Sequence, residues 1–441
     1  KGIFGLLHHC VRVETDIPCS RLAQSVPNFR SPVRGFYQDA HNIRLFFKGF
    51  MDQEIIARLL KAPELGPRLT ILSGGTAFND TARVLKHLTH HSTHLLTPFD
   101  SGGSSAILRT SFDMPAVGDL RSRIMALADE SLAGHQAVVK LFATRIPSDA
   151  PSRVIEILLH GLKNGSDKLI TQIHEPLQSS IHRLLSRFFD AAPTNFDYRG
   201  ASLGNLALTG AYLDHHRRLD PTAGLFSRLS KSQGIARVSV DANLHLGALL
   251  EDGQLILGQH RLTGKAMHPI HSPIKELFLN RGLEHESRTT VAAKRKTRSM
   301  LVDTDLIVFS QGSFYSSLLA NLLPVGIGTS IAQSSANKVW IPNLGHDPEQ
   351  LGLDVSASLQ TLIATLLRDA QGSEPREVLT HVVFNPKAVY SGGIPHELMA
   401  RWGIEPVYVS ETKAGGFCPT ALSQTLCRLA LDPQSFSHPS A

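Results

Sequence analysis

Cysteine is scarce in this chain and confined to its two ends. Cys10 and Cys19 lie near the start, Cys418 and Cys427 near the finish, and no C-x-x-C pair occurs. That pattern argues against zinc ribbons and thioredoxin-type chemistry, and it points to free thiols in a reducing, cytoplasmic compartment. Long apolar runs are missing as well. None approaches the roughly 18 to 20 residues that cross a bilayer, so no membrane partner is expected. Ile3-Phe4-Gly5-Leu6-Leu7 is cut off by His8-His9, too short for a secretory core. Internal repeats and low-complexity tracts are lacking too. Charge of either sign is weakly represented: 44 Lys and Arg against 38 Asp and Glu leave +6 over 441 residues. The one tight basic run, Lys294-Arg295-Lys296-Thr297-Arg298, reads as a solvated loop. No nucleic-acid partner is expected, whereas a small positive excess suits an anionic small ligand.

Histidine is plentiful, with 22 residues, and the groups His8-His9, His90-His91, His94, His215-His216, His268 and His271 invite a metal. None has His-Glu-x-x-His or finger spacing. Adjacent histidines also point to different faces of a helix or strand. No dedicated histidine metal site is expected.

With 42% hydrophobic and 19% charged residues, the composition is that of an ordinary globular protein. Residues 1–65 read as an N-terminal extension, helical from Asp52 to Leu60. From residue 66 the pattern alternates between strand and helix. Strands are expected at 69–73, 93–98, 306–309, 338–341, 380–384 and 405–409, with helices at 78–88, 117–129, 131–144 and 355–369. A helical insertion at about 131–233 shows Ile181, Leu184, Leu185 and Phe188 at i, i+3, i+4 and i+7. Residues 236–262 switch to period two around Asp252-Gly253, a hairpin signal, and 283–300 reads as loop. Strands alternating with helices predict an α/β fold: a doubly wound, mostly parallel, Rossmann-like sheet carrying a helical insertion.

In such sheets ligands bind beyond the carboxyl ends of the strands, where strand order reverses. Three expected strands end in small polar loops. Leu69-Thr70-Ile71-Leu72 runs into Ser73-Gly74-Gly75-Thr76, whose glycines admit an anion to backbone N–H groups at a helix start. The next strand ends in Asp100-Ser101-Gly102-Gly103-Ser104-Ser105, and Leu306-Ile307-Val308-Phe309 ends in Ser310-Gln311-Gly312-Ser313. Two helix starts belong with them. In Val117-Gly118-Asp119-Leu120-Arg121, Asp119 either caps the helix or, with Arg121, faces the ligand. In Gly204-Asn205-Leu206, Asn205 either donates its amide to a ligand or satisfies a local carbonyl.

Taken in order, these segments resemble the CofD/YvcK family. The match runs through Ser73-Gly74-Gly75-Thr76, Asp100-Ser101-Gly102-Gly103-Ser104-Ser105 with Leu108-Arg109, Gly118-Asp119-Leu120-Arg121, Gly204-Asn205-Leu206 and Gln311-Gly312-Ser313-Phe314-Tyr315. It covers about residues 68 to 350, and the spelling is similar to the CofD-related branch associated with the GAK system. Where YvcK-type relatives carry a further glycine, a second aspartate, a proline and a histidine, this chain has Ala77, Ser101, Gln311 and Ala201.

The resemblance implies a transferase that moves a phosphorus-linked group from a nucleotide diphosphate donor to a hydroxyl acceptor. It equally implies, as the alternative, a UDP-sugar-binding regulatory protein of the YvcK type. On either reading the partner is a nucleotide or nucleotide-linked small molecule, and relatives imply a homodimer. Gly74, Gly75, Thr76, Gly312 and Ser313 would hold phosphate oxygens. Ser101, Gly102, Gly103, Ser104, Asp119, Gly204, Asn205 and Gln311 would complete the site. Asp100 would hold Mg²⁺, or else only accept N–H bonds in an Asx-turn, and Arg109 or Arg121 would neutralise developing charge.

Overall fold

Leu69, Ile71 and Leu72 are buried, as are Leu306 to Phe309, and so are the Thr70 and Ser73 that alternate with them. Strands covered on both faces belong inside a parallel sheet sandwiched by helices. The computed structural model describes residues 53–132, 134–264, 269–410 and 416–432, and it has that architecture. Seven strands form the main sheet: β1 (Leu69–Ser73), β2 (Ser92–Leu96), β3 (Ile235–Val238), β8 (Leu306–Phe309), β9 (Asn337–Trp340), β10 (His381–Phe384) and β11 (Glu405–Tyr408). Their spatial order is β11-β10-β9-β8-β1-β2-β3, and every neighbouring pair is parallel. The chain lays strands outward from β1 to β3, then restarts beside β1 at β8 and proceeds outward to β11. Strand order therefore reverses between β1 and β8, and the crevice beyond their carboxyl ends is the switch point of a doubly wound sheet.

A second, antiparallel sheet lies between β3 and β8 in sequence, ordered β5-β4-β6-β7: β4 (His245–Leu250), β5 (Leu255–Leu257), β6 (Ile274–Asn280) and β7 (Arg288–Thr289). Its Leu246, Ala248, Leu250 and Leu277 join one continuous core with Leu72, Leu95 and Phe309 of the main sheet. The helices that matter here are α1 (Asn79–Leu85), α2 (Gly103–Phe112), α3 (Gly118–Leu127), α4 (His135–Ala143), α5 (Leu177–Ala191), α6 (Leu203–Asp214), α7 (Arg295–Val302) and α8 (Pro419–Leu431). Helices fill the span between β2 and β3. Ile181, Leu184, Leu185 and Phe188 of α5 are all buried. The contact with α6 is close enough that a Cβ on Gly210 would lie 1.9 Å from the Leu184 carbonyl oxygen. Backbone cannot yield as a flexible side chain can, so Gly210→Ala is expected to cost about 3 kcal/mol. Urea unfolding measures it, and an unchanged midpoint would mean the helices part freely.

Two sequence expectations change. The period-two stretch at 236–262 is not one hairpin: Ile235–Val238 pairs in parallel with β2 as an edge strand, and only β4 and β5 form the hairpin around Asp252-Gly253. Period two does not distinguish a parallel edge strand from a hairpin arm. The expected loop at 283–300 contains β7 and the start of α7, whose buried Thr297 and Leu301 lie four residues apart beneath the basic run. Charge on the outer face hid that apolar stripe. After β8 the chain forms a π-helical turn (Phe314–Leu318) followed by a 3₁₀ turn (Leu319–Leu322).

Residues 53–61 are helical, and close packing delimits a unit from Arg58 onward. Cys10, Cys19, His8-His9 and His268 lie outside the described residues. Cys418 and Cys427 are free thiols at the start and in the middle of the α8 segment. Among the described residues no helix is long and apolar enough to cross a membrane.

Candidate functional site

At the switch point lies a cleft of about 630 Å³. The loops after β1, β2 and β8 meet there with the starts of α2, α3 and α6. Among the residues named from sequence, Gly74, Gly75, Thr76, Asp100, Gly102, Gly103, Ser104, Asp119, Arg121, Asn205, Gly312 and Ser313 line it. Ser101, Arg109, Gly204 and Gln311 do not.

The two glycines after β1 serve different needs. A Cβ on Gly74 would lie 2.3 Å from Ser317 Oγ, so this residue lets β1 abut the π-helical turn. Gly75 has φ +30° and open space around it. Its N–H, expected to face a phosphate, donates to Asp119 Oδ2 at 2.8 Å. The β8 loop is tied down in the same manner. Gly312 N–H donates to Asn343 Oδ1 (2.8 Å), Asn343 Nδ2 donates to Gly312 O (2.7 Å), and Phe314 N–H donates to Asp347 Oδ2 (2.7 Å). Behind them the buried Glu349 accepts from Tyr315 N–H (3.0 Å), Ser316 N–H (2.7 Å) and Ser316 Oγ (2.5 Å). Side-chain oxygens of the protein thus take amides that the sequence assigned to an anion.

At the end of β2, Asp100 Oδ1 accepts from Gly102 N–H at 3.1 Å, the Asx-turn geometry. Asp100 Oδ2 is 3.9 Å from the position a Cβ of Gly118 would take, which places the carboxylate beside the start of α3. Ser101 is buried, with its Oγ 2.8 Å from His260 Nδ1. Arg109 lies behind this loop. It donates to the carbonyls of Phe99, Asp100 and Leu244 and to Asn243 Oδ1, and it sits 3.1 Å from His245 Nε2. Burial lowers its pKa to about 10, and burial with Arg109 alongside pushes His245 down to about 4. The sequence offered Arg109 or Arg121 to neutralise ligand charge. Arg109 instead knits the β2 loop to the second sheet.

Arg121 faces the cleft. Its Nε donates to Asn205 Oδ1 at 2.9 Å and its Nη1 to Phe142 O at 3.2 Å. Burial, then Arg145, lower its pKa to about 10, against the pull of Asp119, so it stays cationic at neutral pH. With Asn205 Oδ1 so engaged, what Asn205 can offer a ligand is its NH₂ group. Gly204 makes room for this arrangement, since a Cβ there would lie 2.6 Å from Arg121 Cδ and 2.4 Å from Phe142 O. Gln311 Nε2 reaches Ala77 O at 3.3 Å, bracing the loops of β8 and β1 from outside the cleft.

Sequence reasoning missed Arg145, His260, Ser122, Gln259, Thr263 and Ser317, all of which line the cleft. Arg145 arrives through a two-stranded clasp, in which Ile146 N–H donates to Ala201 O and Gly200 N–H to Ile146 O, just ahead of α6. His260 arrives on the short helix Gln259–Leu262 that follows β5, and burial lowers its pKa. Neither lies in a glycine loop, so no local signal marked them.

Arg121 and Arg145 form no ion pair among the described residues. Two guanidinium groups converge on a polar cleft without a bonded carboxylate between them. A sequence profile described as 2-phospho-L-lactate transferase CofD matches residues 69–405, which takes in every loop of this cleft. The chain belongs to the CofD family. It is 26% identical over 341 residues to a putative gluconeogenesis factor of Thermoanaerobacterium thermosulfurigenes, covering 76% of this chain and 82% of that one. It is 25% identical over 285 residues to the gluconeogenesis factor of Bacillus subtilis, covering 64% and 69%. The crystal structure of a UPF0052-family protein from Bacillus halodurans shares the fold, with TM-score 0.59 and 20% identity over 82% of this chain and 99% of that one.

Proposed function

We propose that this CofD-family protein binds a nucleotide-linked diphosphate in the switch-point cleft and moves its phosphorus-linked group onto a hydroxyl acceptor. The observation that carries the reading is the Arg121–Arg145 pair, which forms no ion pair among the described residues, beside the hydroxyls of Ser104 and Ser122. Such a pair is most favourable with an anion between its members. In this reading residues 66–441 are the CofD-like domain behind an extension of residues 1–65.

Transfer requires the acceptor oxygen to attack phosphorus while the bridging P–O bond to the nucleoside monophosphate breaks, the hydroxyl proton passing to water or to the departing phosphate. The arginines would hold the non-bridging oxygens as charge gathers on them, and Asn205 would fix the donor's orientation. Among the described residues no group of three or more His, Cys, Asp or Glu is placed to hold a metal. A Mg²⁺ ion suits the site all the same, because it is commonly held by one or two carboxylates with substrate phosphates and waters. Asp100, with Oδ2 beside Gly118, would be its protein ligand, and the ion would neutralise diphosphate charge.

Asp100→Asn keeps the Asx-turn oxygen and loses the charge. Titration calorimetry with GDP and UDP-sugars is expected to show Mg²⁺-dependent binding in the parent, and binding in the variant that EDTA no longer changes. Equal binding by the parent with and without EDTA would remove Asp100 from this role.

A second reading, a UDP-sugar-binding regulator that turns nothing over, is favoured by the Asx-turn already formed at Asp100 and by relatives named gluconeogenesis factor. Release of nucleoside monophosphate separates the two. A transferase liberates it when donor and acceptor are both present, whereas a binder returns its nucleotide-sugar intact.

A further inference from the structure

His260 is the only histidine among the described residues that line the cleft, and two glycines make room for it. A Cβ on Gly258, at φ +106°, would lie 2.8 Å from its Cε1 and 2.9 Å from its Nδ1. One on Gly102 would lie 3.3 Å from its Cβ. A side chain at Gly258 would strain the backbone and push the ring aside. Ser101 sets the orientation of that ring. Its buried Oγ stands 2.8 Å from Nδ1 and accepts from the His260 backbone N–H at 3.4 Å. No other hydrogen bond among the described residues involves this hydroxyl. With its oxygen already accepting, the hydroxyl hydrogen has one acceptor in reach, and leaving it unpaired in the interior would be costly. Nδ1 therefore accepts, and the ring carries its own hydrogen on Nε2. Among the described residues Nε2 has no partner, and it is not buried, so it is the polar atom that the ring offers to the cleft.

We infer that His260 is a further substrate-contacting residue, which donates its Nε2–H to an oxygen of the bound diphosphate from the side of the β2 loop. The inference rests on the cleft being the diphosphate site. Arg121 and Arg145 reach the same space from α3 and from the clasp ahead of α6, so donors from three separate segments would meet the phosphates. Charge gathers on those oxygens as the P–O bond breaks, and a donor already oriented by its neighbours strengthens with it at no cost of reordering. The ring neither takes nor releases a proton. Its lone pair is committed to Ser101, so it is not the base for the acceptor hydroxyl. Aspartate at position 101 beside this same histidine would reverse the arrangement. A carboxylate only accepts, so Nδ1 would carry the hydrogen and Nε2 would turn a lone pair toward the phosphates.

Substitution separates a donor from a base. Glutamine places an amide N–H close to where Nε2–H stands, and alanine places nothing there. Titration calorimetry with inorganic pyrophosphate at pH 8 is expected to show His260→Ala binding about 10- to 100-fold more weakly than the parent, the worth of one hydrogen bond to a charged group. His260→Gln is expected to recover most of that loss, and Ser101→Ala, which unlocks the ring, to weaken binding severalfold. Thermal melts verify that the variants fold. Nitrogen NMR of the histidine-labelled parent gives an independent readout, with the His260 signals identified by their loss in His260→Gln. Expected are a bare Nδ1, a hydrogen on Nε2, and a shift of that hydrogen's resonance when pyrophosphate is added. A hydrogen on Nδ1 with Nε2 bare, His260→Ala binding as tightly as the parent, or His260→Gln as weak as His260→Ala overturns the inference, while binding by the parent keeps the cleft reading intact. If the parent binds neither pyrophosphate nor GDP nor a UDP-sugar, the cleft reading itself fails and the role of His260 falls with it.

Discussion

Arg121→Gln is expected to weaken binding of pyrophosphate and of nucleotide-sugars by about 100-fold, the upper range for a charged hydrogen bond in a half-buried site. The reason lies in how the side chain is held. Asn205 Oδ1 and Phe142 O take its Nε and Nη1, so the guanidinium is already oriented and little of the binding energy goes into ordering it. Glutamine at this position keeps polarity and removes the charge. Arg121→Lys keeps charge and loses the fork that spans Asn205 and Phe142, so it should fall between the two. Calorimetry on the three proteins, with thermal melts as a fold check, reads the effect. If Arg121→Gln binds as tightly as the parent, the anion sits elsewhere, and the glycine loops must release Asp119 or Asn343 to hold it.

The largest effect on stability is expected at Glu349. It is buried, accepts three hydrogen bonds from the turn at 315–316, and has Asp347 beside it. Glu349→Ala would strand three donors in the interior and is expected to cost about 4 kcal/mol. Burial, chiefly, then the charge of Asp347, raise its pKa from 4.5 to about 7. The folded protein therefore binds a proton here that the unfolded chain has released, across the window between those values. Stability from this group is fully present below about pH 4.5 and is lost as pH rises through about 7, by roughly 3 kcal/mol in all. Glu349→Gln removes the titration while keeping an oxygen for the amides. Relative to the parent, this variant should gain stability between pH 5 and pH 8, because all other groups titrate alike in both. Urea unfolding at the two pH values checks it, and a pH-independent difference would mean that Glu349 does not change protonation in this range.

Much of the framework was legible in the sequence because it is written locally. Leu69–Ser73 and Leu306–Phe309 are unbroken buried runs, and their paired small-residue endings place the switch point without any long-range information. The α5 stripe of Ile181, Leu184, Leu185 and Phe188 was equally plain. What escaped was whatever depended on side chains meeting from afar. Nothing near Gly75 says that its amide will be taken by Asp119, and nothing near Gly312 announces Asn343. Arg109 and Arg121 look alike as arginines on helices that follow polar loops. Only the fold shows one buried among carbonyls and the other turned to the cleft. Arg145 follows an unremarkable helix, and its place is set by the clasp with residues 200–202.

The central position of β1 also shapes how the protein is made. One of its neighbours, β2, follows within thirty residues, whereas Leu69 pairs with Leu306 on its other side. At a synthesis rate of about 5–20 residues per second, β1 waits roughly 10 to 50 seconds for β8 to emerge. Throughout that time an apolar strand destined for the middle of a sheet presents an open edge, the kind of surface that recruits chaperones or mispairs with another chain. The crevice between β1 and β8 does not exist until that edge closes. A ligand of the cleft therefore meets its full set of contacts, Gly312 and Ser313 included, only after β8 has emerged.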